Sequence, residues 1–453
     1  MAKSKKAEIK IDKFVFPNLG TGELEGNSVF IKRALPGQIV EADITRKKGM
    51  YTGRLLEIIK KAADEIEPLC PNTYNCGGCT FQPLTYEREK QIKRSMVVDL
   101  FENAGISDIN NAEFMEAPQV YGYRNKMEFS FGDEYKNGPL NLGLRNPGSF
   151  YEVCDGSSCN ICDNDFNMIT AFTKDFFAKY GEKFYHRVLH TGSLRHLVIR
   201  KGSYTGEILV NLVTAGEINV DLAEYAAGLA NLAPEGKIAG ILHTTNNSVA
   251  DVVQADSMDI LYGSDFFTDN ILGLKFKIYP FSFFQTNTKG AERLYSTVNE
   301  FCGEQKVSTI FDLYCGTGTI AQILSPKAEN VYGIELVESA VTAAKENAVM
   351  NNITNCSFIA GDVLKEVGAL SDSPDIIILD PPREGIHPKA IDPIINFGAK
   401  KIVYVSCKPS SLVRDLAIFM EKGYELKKIR IHDMFPRSYH VETVVLLSKK
   451  DDK

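Results

Sequence analysis

Residues 308–321 read STIFDLYCGTGTIA, in which an apolar run typical of a buried strand leads into two glycines, Gly316 and Gly318, and then into a second apolar stretch. Glycines at such a bend let the backbone approach a bound molecule closely, because they lack a Cβ and adopt positive φ. From about residue 281 onward, helical and strand-like patterns alternate on both sides of this stretch. The alternation predicts a parallel sheet flanked by helices.

Three strand-like runs downstream carry a carboxylate at their end. NVYGIE ends at Glu335, FIAGD ends at Asp362, and DIIILDPPREG carries Asp380. The carboxyl ends of parallel strands share one edge, where a Rossmann-like sheet binds its ligand and a carboxylate accepts ribose hydroxyls. The loop lacks the third glycine of G-x-G-x-x-G, and Asp362 stands where methyltransferases contact an adenine. The pattern therefore favours an S-adenosylmethionine-dependent methyltransferase over an NAD enzyme.

The residues Asp380-Pro381-Pro382-Arg383 narrow the chemistry. Amino-methylating enzymes carry a similar Asp/Asn-Pro-Pro, followed by an aromatic residue that stacks on the target base. Here Arg383 stands in place of the ring, so we expect methylation of a carbon. Asp380 could accept from a pyrimidine N–H or contact the donor, and Arg383 could face developing negative charge.

Two stretches near the end of the sequence, VYVSCKPSSLVRDL from Val403 and DMFPRSYHVETVVLL from Asp433, supply a thiol and a carboxylate. Carbon 5 of uracil is a poor nucleophile, but addition of a thiolate to carbon 6 makes an enolate that can attack a sulfonium methyl group. A base must then remove the carbon 5 proton. Cys407 and Glu442 suit these two roles, with Lys408 able to favour the thiolate. His440 is the alternative base.

Two clusters of cysteine suggest an inorganic centre. CPNTYNCGGC places Cys70, Cys76 and Cys79 within ten residues. CDGSSCNIC carries three further cysteines, which are Cys154, Cys159 and Cys162. Two C-x2-C pairs could form a four-thiolate zinc site. Three close cysteines with one remote cysteine suit an iron–sulfur cluster instead. The residues alone leave both open.

The first 66 residues alternate apolar and polar positions between glycine, proline and lysine-rich turns, which predicts a small antiparallel barrel. They hold 13 Lys and Arg against 9 Asp and Glu, whereas the whole chain of 453 residues has a net charge of −7. A basic module on an acidic body is compatible with RNA docking. Residues 123–126, YRNK, and the charged residues of RHLVIRKG (195–202) are further candidate RNA contacts.

Composition agrees with a folded cytoplasmic protein. Hydrophobic residues make up 44% and charged residues 24%, and no apolar run approaches the length of a membrane helix. The Lys-rich start has no apolar core and so does not read as a secretory signal. We expect a monomer, with its ten cysteines reduced.

The segment GTGELEGNSVFIKRALPGQIVEADI resembles a TRAM domain. Six further motifs follow in chain order: the C-x5-C-x2-C site, FFQTN, DLYCGTGT, DPPR, SCKP and HVE. Together these motifs resemble the RNA uracil-5-methyltransferase family. The resemblance covers nearly the whole chain. It implies a nucleophile, Cys407, and a base, Glu442. It implies donor contacts at Gln285, Tyr314, Thr319, Glu335 and Asp380, to which the patterns described above add Gly316, Gly318 and Asp362. It implies a four-iron four-sulfur cluster on Cys70, Cys76, Cys79 and Cys159.

The resemblance also implies the architecture and the substrate. The expected fold class is α/β, with an OB-like TRAM barrel at 1–66, a mixed α/β central domain at 67–280 and a Rossmann-like methyltransferase domain at 281–453. A helix within 90–117 is expected to pack with the last of these. Arg124, Lys126, Asp380 and Arg383 are the candidate substrate contacts. The TRAM-plus-cluster arrangement favours 23S ribosomal RNA as the target, with transfer RNA second, and a non-catalytic RNA-binding iron–sulfur protein is the alternative from another class.

Overall fold

The computed structural model describes residues 4–106, 109, 112–248, 256–366 and 373–450. Its first six strands are β1 Lys5–Lys10, β2 Lys13–Val15, β3 Leu19–Leu24, β4 Asn27–Lys32, β5 Ile39–Lys47 and β6 Met50–Lys60. They form one sheet in the order β1-β5-β6-β4-β3-β2. The edge strands β1 and β2 are consecutive in the chain, and Asp12 N–H donates to Thr21 O over 2.8 Å. The sheet therefore curls until the end of β1 lies against β3, around a core that includes Val29 and Ile31.

The next two elements, α1 Tyr86–Asn103 and β7 Glu113–Met115, pack with the C-terminal sheet. Thr85 caps α1 by accepting from Arg88 N–H. The apolar face of the helix, including Met96 and Phe101, is buried in the same core as Phe311 and Leu416. The helix begins at Tyr86 and ends at Asn103, so β7 rather than helix occupies the end of the 90–117 stretch.

A second six-stranded sheet forms the central part of the molecule. Its elements are β8 Lys126–Asp133, β9 Leu140–Gly143, α2 Asn164–Lys179, β10 Leu194–Lys201, β11 Glu207–Thr214, α3 Leu222–Ala230, β12 Lys237–Thr245 and β13 Ser257–Gly263. The order β13-β12-β11-β10-β8-β9 mixes antiparallel pairs with the parallel pair β11–β12. Apolar side chains of α2 and α3, such as Phe166 and Tyr225, cover one face. A hairpin, β14 Phe267–Ile271 and β15 Leu274–Ile278, follows.

The C-terminal sheet has eight strands, in the order β18-β17-β16-β19-β20-β22-β21-β7. Its elements after the hairpin are α4 Thr288–Cys302, β16 Val307–Leu313, α5 Thr319–Leu324, β17 Ala328–Glu335, α6 Glu338–Met350, β18 Cys356–Ala360, α7 Val363–Glu366, β19 Ile376–Leu379, α8 Pro388–Asn396, β20 Lys401–Ser406, α9 Pro409–Glu421, β21 Tyr424–His432 and β22 Glu442–Lys449. Strands β16 to β20 pair in parallel. Strand order reverses between β16 and β19, which is the topological switch point where such sheets bind ligands.

The strands around this switch point are nearly continuous apolar runs because both faces of the sheet are covered. One face packs against α1, α8 and α9, and the other packs against α4 and α5. None of the helices in the described ranges is both long and apolar enough to span a bilayer.

Candidate active site

Strand register brings the predicted thiol and carboxylate together. β20 and β22 are antiparallel, and their last pair is Ser406 with Thr443. Cys407 follows Ser406 and Glu442 precedes Thr443, so the two side chains stand at neighbouring ends of paired strands. The 34 residues between them, 408–441, are taken up mainly by α9, β21 and a loop.

A single cavity of about 1250 Å³ lies at the carboxyl edge of the sheet. Its walls include these residues from the sequence prediction: Arg124, Gln285, Tyr314, Gly316, Thr319, Glu335, Asp362, Asp380, Arg383, Cys407 and Glu442. Phe435 and His440 also line it. Gly318 and Lys126 do not, and Lys126 is a half-buried residue of β8. The predicted donor contacts and the predicted thiol and base therefore face the same space.

The two glycines of the loop do different things. Gly316 has φ +54°, and an added Cβ would meet no atom within 4 Å, so it keeps the backbone open to the cavity. Gly318 has φ +73° and caps α5, but a Cβ there would lie 2.5 Å from the Phe358 ring. Gly318 is thus required for the turn and for packing, and its predicted role as a donor contact is not supported by its position.

Glu335 ties the glycine loop to the second strand. One carboxylate oxygen accepts from Gly316 N–H over 3.0 Å and the other accepts from Val337 N–H over 3.0 Å. Each oxygen keeps a second lone pair, so the carboxylate is held in place and can still accept from a ligand hydroxyl. Tyr314, at φ +68°, stores backbone strain beside it, as residues at ligand sites often do.

The loop 279–287, which leads into α4, is held by two buried side chains of the central sheet. Arg200 donates to the carbonyls of Tyr279, Pro280 and Ser282 over 2.7, 3.1 and 2.7 Å. Asn125 donates to the Gln285 carbonyl over 3.0 Å and to Thr288 Oγ1 over 2.8 Å. These contacts fix the wall of the cavity that carries Gln285.

The prediction that 123–126 and 195–202 supply RNA contacts is therefore mostly wrong. Tyr123, Asn125, Arg195, His196 and Arg200 are each less than a tenth exposed. Lys201 pairs with Asp163 and Asp165. A run of charged residues looks like a surface in sequence, but here the side chains are buried with backbone carbonyls and carboxylates as partners. Arg124 alone of these residues lines the cavity.

The ionisable groups of the cavity are strongly perturbed. Burial raises the pKa of Cys407 to about 12, with Glu442 and Asp380 acting in the same direction and Arg383 opposing them. Burial raises the pKa of Asp380 to about 7. Burial, reinforced by Asp380, raises the pKa of Glu442 well above its usual value. Such shifts are typical of functional sites.

The electrostatic role predicted for Lys408 changes, and His440 stays the alternative base. Lys408 Nζ lies 3.4 Å from Glu384, and the cation that favours the Cys407 thiolate is Arg383. Burial lowers the pKa of His440 to about 4, and Arg383 adds to this effect, so the imidazole is neutral near pH 7. Phe435, whose ring lies 6.2 Å from His440, was missed by the sequence analysis, although the Phe-Pro turn before Glu442 marks its place.

The two cysteine segments are tied together. Asn72 Nδ2 donates to Asp155 O over 2.8 Å, and Gln82 exchanges amide hydrogen bonds with Asn160. The predicted ligands lie within electrostatic reach of one another: burial raises the pKa of Cys79 to about 12, and Cys159, Cys76 and Cys70 add to this. Within the described ranges, however, no group of three or more Cys, His, Asp or Glu side chains is arranged to hold a metal ion. The cluster stays a prediction.

The two cysteines that flank Cys159, Cys154 and Cys162, each hydrogen-bond one of the candidate ligands. A hydrogen bond from Cys154 lowers the pKa of Cys76 to about 7, and one from Cys162 lowers the pKa of Cys159 to about 7. Arg33, from the N-terminal sheet, donates to the carbonyls of Cys76, Thr73 and Cys79 over 2.7, 3.1 and 2.7 Å. The first cysteine segment is thereby fixed to the N-terminal sheet.

The chain is similar to RNA methyltransferases over its whole length. Residues 242–450 match the family model of tRNA (Uracil-5-)-methyltransferase. The chain is 47% identical over 452 residues to an uncharacterized RNA methyltransferase of Clostridium tetani, covering 100% of this chain and 99% of the relative. This chain belongs to the RNA uracil-5-methyltransferase family. An uncharacterized RNA methyltransferase of Caldanaerobacter subterraneus is 45% identical over 450 residues, covering 99% of this chain and 100% of the relative.

A solved structure agrees over the length of this methyltransferase. The Pyrococcus abyssi tRNA (uracil-54, C5)-methyltransferase, determined with S-adenosyl-L-homocysteine, superposes with a TM-score of 0.77 at 25% identity. The match covers 97% of this chain and 100% of the other. The fold class, the enzyme class and S-adenosylmethionine as methyl donor, all predicted from the sequence, are confirmed.

Proposed function

We propose that this methyltransferase acts on carbon 5 of a uridine in RNA, through a covalent bond between Cys407 Sγ and carbon 6 of the base. Glu442 removes the carbon 5 proton. The observation that carries the proposal is the juxtaposition of Cys407, Asp380 and Glu442 at adjacent strand ends, in the cavity that also holds the candidate donor contacts. A thiol and a separate carboxylate are what this chemistry requires.

The side chains of the cavity have different roles in this proposal. Gln285, Tyr314, Gly316, Thr319, Glu335 and Asp362 hold the donor, with Gly318 shaping the turn. The donor supplies the methyl group and, as a sulfonium, a positive charge that lowers the pKa of neighbouring acids when it is bound. Arg383 and Arg124 face the base and its phosphate groups. Lys126, which lies outside the cavity, has no part in this proposal.

The proton and electron changes balance. Cys407 Sγ bonds to carbon 6 while its proton passes to Asp380, whose raised pKa of about 7 makes it an effective acceptor. Arg383 stabilises the enolate oxygen at carbon 4, and carbon 5 takes the methyl group as its bond to the sulfonium sulfur breaks and leaves S-adenosylhomocysteine. Glu442, as carboxylate, then removes the carbon 5 proton. The electron pair of the carbon 5–hydrogen bond forms the double bond between carbons 5 and 6 while the bond between carbon 6 and sulfur breaks. The electron pair of that bond returns to Cys407, which takes back the proton held by Asp380.

Ribosomal RNA is the target proposed from the sequence, because the N-terminal barrel and the cysteine site together resemble the ribosomal branch of the family. Transfer RNA is the second candidate. The matching family model and the Pyrococcus abyssi enzyme are both described as tRNA methyltransferases, which favours it. Methylation of separate ribosomal and transfer RNA pools from cells that lack this gene, with a tritium-labelled methyl donor, distinguishes the two.

We also propose that Cys70, Cys76, Cys79 and Cys159 hold a four-iron four-sulfur cluster, and that the N-terminal sheet is a TRAM-type RNA-binding module. Two observations support this proposal: Cys159, Cys76 and Cys70 each help to raise the pKa of Cys79, and Gly78 N–H donates to Cys76 Sγ over 3.3 Å. Bound there, the cluster would cross-link the two cysteine segments. Iron and sulfide analysis after anaerobic purification tests this assignment, and stoichiometric zinc without iron would refute it.

The catalytic proposal is tested with RNA that contains 5-fluorouridine. Fluorine at carbon 5 cannot be removed as a proton, so a covalent protein–RNA complex should accumulate in a donor-dependent way. Cys407→Ala should form no complex and transfer no methyl group. Cys315→Ala is the matched control, since Cys315 is a buried thiol that also lines the cavity. Complex formation by Cys407→Ala would remove that residue from the nucleophile role.

A further inference from the structure

The loop 433–441, between β21 and β22, is held at four consecutive carbonyl groups by four separate segments of the chain. The donors are, in order, Asn287 Nδ2 to Met434 O (2.8 Å), Lys93 Nζ to Phe435 O (3.1 Å), Tyr123 Oη to Pro436 O (2.9 Å), and the amides of Thr80 and Phe81 to Arg437 O (2.8 and 2.9 Å). Loops on a protein surface usually leave such carbonyls to water. This loop is instead fixed at each of them.

A buried charge network fixes the same loop from α1. Lys93 Nζ lies 2.7 Å from Asp433 Oδ1 and 2.8 Å from Glu89 Oε1, and all three side chains are fully buried. Glu89 Oε1 also accepts from Arg437 N–H over 2.7 Å. A charge buried in this way is costly when a partner is removed, so the network stabilises the observed arrangement of the loop.

The loop delivers side chains to the cavity. Phe435 and His440 line it, and Glu442 follows two residues after His440 as the first residue of β22. Displacement of the loop would therefore shift the start of β22 and the candidate base. A displacement on the order of 1 Å is enough to cost about a hundredfold in a reaction that depends on alignment.

Resting on the function proposed above, we propose that Tyr123 and Lys93 are positioning residues, which act through the loop 433–441 to hold Glu442 against the carbon 5 proton. Neither side chain lines the cavity. Their removal should slow proton removal more than it slows formation of the carbon 6 adduct, because Cys407 is carried by β20 and α9 rather than by the loop. A residue with a merely structural role would slow both steps alike.

Tyr123→Phe is the sharpest variant, because it deletes one hydroxyl and no charge. Its matched control is Tyr424→Phe, since Tyr424 is also buried and also donates to a backbone carbonyl, that of Ala399, over 2.8 Å. The control bond lies outside the loop. Lys93→Met is the stronger perturbation, with binding of S-adenosylhomocysteine as its check of folding.

Two rates are measured in single-turnover reactions. Release of tritium from RNA labelled at carbon 5 of uridine reports proton removal, and covalent complex with 5-fluorouridine RNA reports adduct formation. For Tyr123→Phe we expect tritium release about tenfold slower than in the wild type, the factor that corresponds to one ordinary buried hydrogen bond, with accumulation of adduct on normal RNA. Complex formation on 5-fluorouridine RNA should match the wild type.

Lys93→Met should show the same pattern with a larger decrease. Tritium release by Tyr123→Phe equal to that of Tyr424→Phe would overturn the proposal, and so would an equal slowing of both rates. Failure of the proposed function has a different signature, since the wild-type protein would then form no covalent complex with 5-fluorouridine RNA at all.

Discussion

Replacement of Arg200 by methionine tests whether the central sheet shapes the donor cavity. Arg200 is 2% exposed, and its guanidinium donates to the carbonyls of Tyr279, Pro280 and Ser282, all of which line the cavity. Methionine fills a similar volume without a donor. Three carbonyls would lose their partner, and the loop that carries them would lose its attachment to β10.

The expected magnitude follows from these three bonds. Each hydrogen bond to a charged group contributes roughly 1.5–3 kcal/mol. Water would satisfy part of the exposed carbonyls, so we expect the free energy of unfolding to fall by about 3–5 kcal/mol. If two loop residues must be reordered when the donor binds, at about 1–2 kcal/mol each, the donor affinity falls by about 2–4 kcal/mol, or roughly 30- to 900-fold.

Isothermal calorimetry with S-adenosylhomocysteine measures this affinity, and urea unfolding measures the stability. Arg195→Met is the matched control, because Arg195 lies on the same strand, is 4% exposed, and donates to the carbonyls of Asn246 and Ser248, which do not line the cavity. It should lower stability but leave the dissociation constant within a few-fold of the wild type. Equal affinity losses in the two variants would refute the reasoning.

Three further outcomes are expected. Glu442→Gln should trap a covalent protein–RNA complex on normal RNA, visible by denaturing electrophoresis, because an amide cannot remove the carbon 5 proton; normal turnover would place the base elsewhere. Burial raises the pKa of Asp312 to about 8 in the folded protein. The folded state therefore keeps a proton on Asp312 that the unfolded chain loses above about pH 4. Because of this difference, the free energy of unfolding should fall as the pH rises from about 4 to 8. Asp312→Asn should flatten that decline in urea unfolding, and an unchanged slope would contradict the assignment. Arg33→Met should lower the free energy of unfolding by about 2–3 kcal/mol, whereas Arg54→Met, at an exposed site of the same sheet, should change it by less than about 0.5 kcal/mol.

The part of the site that sequence could predict is the part encoded in local pattern. The glycine loop and the strand ends at Glu335 and Asp380 are fixed by residues within a few positions of one another. Parallel strands then force their carboxyl ends to a common edge, so the shared location of the donor contacts followed from alternation alone.

The rest depends on contacts between distant residues. Arg200 and Tyr123 read as surface groups because their partners, the carbonyls of 279–282 and 436, lie some 80 and 313 positions away in sequence. Nothing local marks Lys93 as buried, since α1 has polar residues on several faces and its fully buried lysine is neutralised by Glu89 and by Asp433 of another region. Such pairings follow from tertiary packing, which overrides local propensity.

The three hydrogen bonds of Arg33 limit which chimeras between members of this family can be active. Arg33 donates to the backbone carbonyls of Cys76 and Cys79. The backbone amides of Thr80 and Phe81, which come next in the chain, donate to Arg437 O. Glu442 lies five residues after Arg437. An N-terminal sheet exchanged from a relative would have to bring a matching arginine, or the cysteine segment and the loop behind it would lose their anchor. Chimeric enzymes joined near residue 66 should therefore lose turnover, and the two ends of the chain are expected to be inherited as one unit.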